Sequence, residues 1–259
     1  MKIAINGANG RMGRLIASIV KDDENMRLVG VMENPESDLI GKSFDDKLKF
    51  VGSLKDIGDK PDVVIDFTIP CATLFLLKDA VDEGIAIVTG TTGFSQEEIE
   101  ILNKASERIP VLFSPNMSLG VNLLFKLVGE AAKVLKDKDY DVEIFEIHHR
   151  FKKDAPSGTA VRLAEIVADS MEKSLDKTAV FGREGFVGER KKNEIGIFAA
   201  RMGDVVGEHT VYFATLGERL ELTHHATSRE TFARGAIVAA KWICGKPSGF
   251  YSMFDVLGI

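Results

Sequence analysis

Residues Lys2 to Gly13 read K-I-A-I-N-G-A-N-G-R-M-G, and these residues indicate the fold class of the first half of the chain. A short apolar strand runs into three glycines spaced G-x-x-G-x-x-G, and a helix is predicted over Arg14 to Lys21. This order is the context of a dinucleotide-binding fingerprint, in which the pyrophosphate lies on the helix N-terminus. Gly7 would make the tight turn, Gly10 would let backbone approach the pyrophosphate, and Gly13 would let the helix pack on the strand.

A second predicted strand, Arg27 to Met32, ends at Glu33, twenty residues after the last of these glycines. An acidic side chain at this distance accepts hydrogen bonds from an adenosine ribose. The residues Asn34 to Asp38 contain no cation for a ribose 2′-phosphate, and two of them are acidic. The sequence therefore predicts dinucleotide binding with a preference for NADH over NADPH, although Arg11 could still reach a phosphate. The alternative is a structural βα turn with a surface glutamate.

Further βα units follow, and each of their strands ends in a small, hydroxyl-rich loop. The predicted strands are Pro61 to Phe67, Ile85 to Val88 and Pro110 to Phe113, and the predicted helices are Ala72 to Glu83 and a helix capped by Ser95 that runs to about Ser106. Repeated βα units predict a parallel, doubly wound, Rossmann-like sheet, which binds ligands beyond the carboxyl ends of its strands. The loop residues there would border a nicotinamide, or they are ordinary loop residues: Gly90, Thr91, Thr92 and Asn116.

From Gly120 the pattern changes to that of an α+β domain with a mostly antiparallel or mixed open sheet. A long apolar-faced helix over Val121 to Leu135 comes first, and a helix over Thr159 to Lys173 comes later. Three β-rich segments joined by tight turns then predict antiparallel pairing of consecutive strands. These segments are Ile195 to Arg201, Val205 to Ala214 and Arg219 to Ala226.

The apolar residues Phe198, Val211, Phe213 and Leu222 of these segments would line either an oligomer interface or their own domain's core. A last helix, Ser228 to Trp242, is expected to pack back on the first domain. We therefore expect a discontinuous dinucleotide-binding domain of residues 1–119 and 228–259. Residues 120–227 would form a domain for substrate binding and oligomerisation.

The bulk composition suits a soluble globular protein, with 259 residues, 45% hydrophobic and 28% charged. The formal net charge of −6 does not indicate a general affinity for nucleic acid or acidic membranes. Cys71 and Cys244 lie far apart in apolar runs, so we expect buried thiols in a reducing compartment and no metal site. With no signal-peptide pattern and no apolar run near the ~18 residues of a membrane span, a cytoplasmic protein is predicted.

Residues Glu143 to Ala160 read E-I-F-E-I-H-H-R-F-K-K-D-A-P-S-G-T-A, a predicted strand, loop and helix start. Two histidines, an arginine and two lysines fall within His148 to Lys153. Such a loop places cations beside the free N–H groups of a helix N-terminus, which favours an anionic ligand. The alternative is a solvated basic loop after a core strand.

With these motifs the sequence resembles the dihydrodipicolinate reductase family over its whole length. The motifs that carry the resemblance include N-G-A-N-G-R-M-G, D-F-T at Asp66 to Thr68, T-G-T-T-G-F at Thr89 to Phe94, S-P-N-M-S-L-G-V at Ser114 to Val121, E-I-H-H-R-F-K-K-D-A-P-S-G-T-A at Glu146 to Ala160, G-D-V-V-G-E-H-T at Gly203 to Thr210 and S-R-E-T-F-A-R-G-A at Ser228 to Ala236. The long histidine motif is the most specific of them.

The resemblance implies a homotetrameric enzyme of lysine and diaminopimelate biosynthesis. It would use NAD(P)H to reduce 4-hydroxy-tetrahydrodipicolinate to tetrahydrodipicolinate. By this resemblance His148 is the general acid, and Lys152 assists protonation. The implied contacts of the dicarboxylate substrate are His149, Lys152, Ser157, Gly158 and Thr159. The implied cofactor contacts are Gly7, Ala8, Asn9, Gly10, Arg11, Met12, Glu33, Gly90, Thr91, Thr92, Ser114, Pro115, Asn116 and Met117.

The chain departs from the family pattern at three positions. Asn34 and Ile69 stand where members that readily take NADPH tend to have basic residues, which again favours NADH. Phe151 stands where a third histidine is often found. Two other functions stay open on the sequence, namely an NADH-binding regulator without turnover and a dehydrogenase of another small dicarboxylate.

Overall fold

A seven-stranded parallel sheet organises the first of two units in the computed structural model, which describes residues 1–259. This unit comprises Met1–Leu119 and Glu230–Ile259, and the second comprises Gly120–Arg229. The strands of the first unit are β1 (Lys2–Asn6), β2 (Arg27–Met32), β3 (Phe50–Val51), β4 (Val63–Asp66), β5 (Ala86–Thr89), β6 (Pro110–Phe113) and β12 (Gly249–Tyr251). Its helices are α1 (Arg11–Asp22), α2 (Pro70–Glu83), α3 (Gln96–Ala105), α7 (Glu230–Ile243) and α8 (Met253–Leu257).

The strands lie in the order β12-β6-β5-β4-β1-β2-β3. The central strands have apolar residues at successive positions, because both faces of the sheet are covered by helices. Ile3 and Ile5 pack in a cluster with residues of α1 and α7, while Ala4 packs in a second cluster with residues of α2 and α3. Helices on both faces of a parallel sheet confirm the predicted doubly wound class. The chain order reverses between β1 and β4, where such sheets bind their ligands.

The second unit contains a five-stranded mixed sheet. Its strands are β7 (Asp141–His148), β8 (Ala179–Phe181), β9 (Ile195–Arg201), β10 (Gly207–Thr215) and β11 (Glu218–Ala226), in the order β11-β10-β7-β9-β8. Its helices are α4 (Leu119–Leu135), α5 (Gly158–Ser170) and α6 (Leu175–Thr178). Strand β10 is antiparallel to β11 and β7, whereas β9 is parallel to β7 and β8.

The expected antiparallel pairing holds for β10 and β11 but is wrong for β9 and β10. Strand β7 lies between these two, and Ile144 at its centre pairs with Val211 of β10 and with Ile197 of β9. All three side chains are buried. The chain between β9 and β10 therefore crosses β7 instead of closing a hairpin, because β7 has the apolar alternation that both neighbours need.

The two faces of this sheet divide the apolar residues whose role the sequence left open. Val211 and Phe213 are fully buried in the core of their own unit. On the opposite face the exposed ring of Phe145 stacks on Phe198, with 4.8 Å between ring centroids, and meets Tyr212 edge-on at 5.5 Å. This aromatic face, defined by Phe145, Phe198 and Tyr212, is not part of the core.

The expectation of two buried cysteines is wrong, since Cys71 and Cys244 are both exposed. Each lies at a helix end, where an apolar neighbourhood in sequence does not guarantee burial. Cys71 is the second residue of α2, and Cys244 follows Ile243, the buried last residue of α7. Of the helices in the structure, none combines the length and the apolar character needed to cross a membrane.

Candidate active site

The glycine turn after β1 adopts the conformation that the fingerprint requires. Gly7 has φ +73°, which a side chain would strain, and its N–H donates to the Met32 carbonyl at 3.0 Å. A Cβ at Gly13 would lie 2.3 Å from the Gly7 carbonyl oxygen, so this glycine lets α1 pack against the turn itself. Helix α1 begins at Arg11, three residues before the predicted start, and no side chain caps it. Its first turn therefore offers backbone N–H groups to an anion.

Glu33 lies beside this turn, and its Oε1 accepts a hydrogen bond from the Asn9 N–H at 2.7 Å. The guanidinium of Arg14 donates to the Asn9 carbonyl at 3.1 Å and also to the Asn9 side chain. Arg14 was absent from the predicted site, since a helical arginine after a glycine motif resembles an ordinary surface residue. Both charged side chains hold Asn9 in place, and the contact from Glu33 uses only one of its carboxylate oxygens.

A cleft of about 520 Å³ adjoins this turn. Its lining residues are Asn6, Gly7, Gly10, Glu33, Asn34, Pro35, Gly52, Phe67, Thr68, Ile69, Cys71, Ala72 and Phe75. Glu33 is the one charged residue among them, and the rest of the lining is mainly apolar or backbone. A cleft of this kind beside an uncapped helix N-terminus and a glycine turn fits a dinucleotide such as NAD(P)H.

Asp66, the last residue of β4, is a fully buried carboxylate at the centre of this sheet edge. It pairs in register with Asn6 of β1 and with Thr89 of β5. Five side chains donate hydrogen bonds to it within 3.0 Å: Asn6, Thr68, Thr73, Thr89 and Thr91. All five donors are neutral. The sequence signal was an aspartate ending an apolar strand, yet the predicted site did not include it.

The loops after β5 and β6 separate into inward and outward residues. Thr91 is buried, and its hydroxyl accepts from the Thr68 N–H at 2.9 Å while donating to Asp66. Gly90 is required by packing, because a Cβ there would lie 2.4 Å from the Phe67 ring. Met117 is also a core residue, and its carbonyl lies against Gly235 of α7.

Of the remaining predicted residues of these loops, all but Ser114 lie closer to solvent. Thr92 and Pro115 are exposed, and Asn116 is half-buried. The hydroxyl of Ser114 is buried and donates to the Asn116 carbonyl at 2.7 Å. The structure thus brings the predicted cofactor residues to one sheet edge, but several of their side chains are already engaged within the protein.

In the second unit, His148 is the last residue of β7 instead of the first residue of a loop. The sheet fixes its backbone, and its carbonyl accepts from the Met202 N–H at 2.9 Å. A turn follows, closed by a hydrogen bond from the Lys152 N–H to the His149 carbonyl at 3.1 Å. The Lys152 ammonium pairs with Asp154 at 2.9 Å. Arg150, Phe151 and Lys153 are exposed, so solvent suffices to account for them.

Glu146, two residues before His148 on the same strand face, is buried to 1% exposure. Its two oxygens accept from both terminal nitrogens of Arg201 at 2.8 Å and from the Ser157 N–H at 3.0 Å. The Nδ1 of His148 makes a further hydrogen bond to Oε2. Burial raises the pKa of Glu146, but the hydrogen bonds from His148, Arg201 and Ser157 outweigh it and lower the pKa to about 2.

His209 closes the other side of this cluster. It is 4% exposed, its ring meets that of His148 edge-on with 5.1 Å between centroids, and its Nε2 lies 3.1 Å from the Ser157 hydroxyl. Burial, and then the nearby charge of His148, lower the pKa of His209 to about 3. His209 is therefore a neutral imidazole at cellular pH.

Ser157 is the N-cap of α5, and its hydroxyl accepts from the Ala160 N–H at 3.3 Å. Gly158 opens the helix, and a Cβ added to it would meet nothing within 4 Å. The space beside Gly158 is thus available to a ligand. This helix start, His148 and Glu146 lie together.

Three side chains that build this cluster were missed from the sequence: Glu146, Arg201 and His209. The alternation of β7 gave a partial signal, since it places Glu146 on the face of buried Ile144, where a charge needs a partner. Arg201 and His209 come from other strands, 55 and 63 positions further on. Spacing within the motif could not identify them.

The comparisons with known proteins agree over the full chain. A model described as "Dihydrodipicolinate reductase, N-terminus" matches residues 1–117, and one described as "Dihydrodipicolinate reductase, C-terminus" matches residues 120–257. The 4-hydroxy-tetrahydrodipicolinate reductase of Aquifex aeolicus is 52% identical over 267 residues, covering 100% of this chain and 99% of the relative. That of Hahella chejuensis is 50% identical over 265 residues with the same coverage.

Among solved structures, a dipicolinate-bound dihydrodipicolinate reductase from Paenisporosarcina sp. TG-14 superposes with a TM-score of 0.80. The match covers 97% of both chains at 24% sequence identity. At this identity the likeness concerns the fold, and it confirms the combination of a Rossmann-like unit with a second, mixed-sheet unit.

Proposed function

Because the chain belongs to the dihydrodipicolinate reductase family and is an oxidoreductase of lysine biosynthesis, we propose that it reduces 4-hydroxy-tetrahydrodipicolinate to tetrahydrodipicolinate, with NADH as the preferred cofactor and the 4-hydroxyl group lost as water. The first unit would bind the dinucleotide and the second the substrate. The observation that carries this proposal is the buried Glu146, which holds His148 next to the helix start at Ser157. A proton donor and an anion site are thus built into one cluster.

The first unit would hold the cofactor mainly through backbone groups. The turn from Gly7 to Met12 would receive the pyrophosphate, and Glu33 would accept from the adenosine ribose. The outward backbone and side chains after β5 and β6, from Gly90 to Thr92 and from Ser114 to Met117, would border the nicotinamide. Bound there, NADH supplies a hydride.

The second unit would bind a dicarboxylate through its helix start and its basic turn. The free space beside Gly158 and the N-terminus of α5 support a carboxylate site at Ser157, Gly158 and Thr159. His149 and Lys152 would contact the substrate from the turn. The dipicolinate bound by the structural relative is a dicarboxylate of this kind. Charge-assisted hydrogen bonds to such a ligand contribute roughly 1.5–3 kcal/mol each.

His148 and Lys152 would supply the proton that neutralises the charge left on the reduced ring. Since Nδ1 of His148 faces a carboxylate, its Nε2 is the atom that would exchange the proton with substrate. Lys152 would stabilise the developing negative charge, for which Asp154 is its resting partner. A histidine suits this work because its proton leaves near neutral pH in ordinary surroundings.

Loss of NADH absorbance, with substrate generated in place by the preceding synthase, tests the reaction. We expect wild type to consume NADH and the double variant His148→Gln, Lys152→Ala to lose about 10²- to 10⁴-fold in rate. Arg150→Ala, which removes an exposed charge from the same turn, is the matched control and should retain nearly full rate. A wild-type protein that leaves NADH unchanged would contradict the proposed function.

The NADH preference is supported by the cleft, whose lining contains no lysine or arginine. A 2′-phosphate would meet Glu33 there without a counter-charge. We expect a higher kcat/KM with NADH than with NADPH, and a shift toward NADPH in Ile69→Lys, because Ile69 is 60% exposed in this lining. Ile69→Gln, of similar length without charge, is the control. A wild-type preference for NADPH would contradict this part of the proposal.

A homotetramer is proposed with the aromatic face as a contact surface, since Phe145 is 44% exposed while stacked in an ordered group. Light scattering should give a mass near four chains. Phe145→Lys should lower it, whereas Phe186→Lys, at an exposed loop residue, should not. A monomeric wild type would contradict this assignment.

A further inference from the structure

We infer that Glu146 is a positioning residue that sets the tautomer of His148 and the place of Ser157 at the same time. This inference rests on the proposed function, because it concerns the residues that would protonate and bind the substrate. It adds Glu146, with Arg201 as its counter-ion, to the machinery of the reaction.

The hydrogen bonds on Glu146 are arranged in two pairs. Oε1 accepts from one terminal nitrogen of Arg201 and from the Ser157 N–H, and Oε2 accepts from the other terminal nitrogen and faces His148 Nδ1. An ionised carboxylate can only accept hydrogen bonds. Nδ1 must therefore carry a proton whether His148 is neutral or charged, and Nε2 is left as the nitrogen that exchanges its proton.

The surroundings of His148 keep Nε2 in this role. A Cβ at Gly207 would lie 3.0 Å from Nε2, so glycine there leaves space at the exchanging nitrogen. His209 packs edge-on against the ring as a neutral group and does not compete with Glu146 for the Nδ1 proton. The imidazole thus has a fixed partner at one nitrogen and room at the other.

The same carboxylate also fixes the helix start. Ser157 lies eleven positions from Glu146, across the turn that contains Lys152, and its backbone N–H is held by Oε1. Its hydroxyl is held separately, by Ala160 and His209. One buried side chain therefore sets the distance between the proton donor on β7 and the anion site on α5.

Glu146→Gln separates these two effects. A glutamine amide can keep its oxygen toward Ser157 and Arg201 and turn its NH2 toward His148. In this orientation the NH2 faces one other donor, a terminal nitrogen of Arg201. In the opposite orientation it would face two donors, the Ser157 N–H and the other terminal nitrogen of Arg201. In the favoured orientation the amide donates to Nδ1, so neutral His148 would carry its proton on Nε2, the wrong tautomer for the wild-type reaction.

Nitrogen NMR of histidine-labelled protein tests this directly, with the His148 signals assigned by their loss in His148→Gln. We expect protonated Nδ1 in neutral wild-type His148 and protonated Nε2 in Glu146→Gln. In the kinetic assay Glu146→Gln should lose about 10²-fold in kcat, with the KM for substrate within about threefold of wild type because the Ser157 contact is kept. His209→Asn is the matched variant, and it should raise KM several-fold without changing the His148 tautomer.

Wild-type His148 protonated on Nε2 would overturn the inference, and this measurement needs no variant that could fail to fold. Unchanged tautomer and unchanged kcat in a folded Glu146→Gln would overturn it as well. If wild type shows the expected tautomer but does not consume NADH, the positioning role of Glu146 stands and the proposed reaction fails.

Discussion

One buried carboxylate lies at the centre of a hydrogen-bonded cluster in each unit, and the two carboxylates are satisfied in opposite ways. Asp66 accepts from an amide and four threonine hydroxyls, all of them neutral. Glu146 accepts from Arg201, His148 and a backbone N–H. Both have 0–1% exposure and both lie near the carboxyl end of a strand.

The two sets of donors hold their carboxylates differently. Around Asp66 several weak donors join the ends of β1, β4 and β5 into one surface, and each hydroxyl can rotate. Around Glu146, the two hydrogen bonds from Arg201 keep the carboxylate ionised and hold it at one angle. The ionised carboxylate in turn sets which nitrogen of His148 carries a proton. The first arrangement suits a face that binds a cofactor through its backbone, and the second suits proton transfer. The contrast predicts different responses to the loss of one partner.

Arg201→Met should have the largest effect on stability. It leaves the carboxylate of Glu146 buried without its counter-ion, which costs about 3–5 kcal/mol. Urea unfolding measures this difference, with Arg162→Met as the control. Arg162 pairs with Glu165 on the surface of α5, with about half of each side chain exposed, so its loss should cost under about 1 kcal/mol. If the two variants lost the same free energy of unfolding, Glu146 would depend on its arginine no more than a surface carboxylate does.

Lowering the pH should destabilise the folded protein in two steps, one from His209 and one from Glu146. His209 has its pKa lowered from 6.5 to about 3, so below pH 6.5 the unfolded chain binds the extra proton and stability falls as pH falls. Glu146 has its pKa lowered from 4.5 to about 2, so its contribution is present above pH 4.5 and is lost as pH falls toward 2. The first step amounts to roughly 3 kcal/mol between pH 6.5 and 4.5.

Variants assign the two steps, using the free energy of unfolding measured at a series of pH values. His209→Gln should flatten the profile between pH 6.5 and 4.5, while Glu146→Gln should flatten only the part below 4.5. His224, whose pKa is also lowered by burial and by His225, is the matched comparison. Since it is only half-buried, His224→Gln should flatten the upper part less. A His209→Gln profile identical to wild type would contradict the assignment.

Asp66→Asn should lower the free energy of unfolding less than Arg201→Met does, because it leaves no buried charge without a counter-ion. The amide still accepts on one oxygen, and hydroxyls that lose their acceptor can rotate toward other partners, so we expect about 1–3 kcal/mol. NADH affinity, followed by cofactor fluorescence, should fall by more than this loss of stability explains. Asp82→Asn, at a surface carboxylate that pairs with Lys55, is the control. A cost above that of Arg201→Met would reverse the comparison.

The two centres also differ in how far the sequence could predict them. The Rossmann-like class, the Gly7 turn, the Ser95 cap of α3 and the bounds of β2 and β6 followed from local rules. Such features depend on neighbours within a few residues. Asp66 belongs to this group in part, since its donors Thr68 and Thr73 are close to it in sequence, although the motif did not show that Asp66 is their common acceptor.

The Glu146 centre depends instead on contacts between distant strands. The sequence named His148, Lys152 and the turn at Ser157, but it could not name their partners Arg201 and His209. These partners lie on β9 and β10, whose places on either side of β7 were not predicted because the pairing order of a mixed sheet depends on packing over the whole unit. The catalytic and substrate assignments themselves stay predictions until activity is measured.

Thr73→Val gives the smallest expected effect and tests whether the Asp66 donors share the task. The substitution keeps the shape of a fully buried side chain and removes one of five hydrogen bonds to the carboxylate, the one at 2.6 Å. Because four donors remain, the loss should be about 1 kcal/mol. Urea unfolding measures it, with Thr223→Val on the exposed face of β11 as the control, where the change should be close to zero. A loss of 3 kcal/mol or more would mean that Asp66 depends on single donors as Glu146 depends on Arg201, and the contrast between the two centres would not hold.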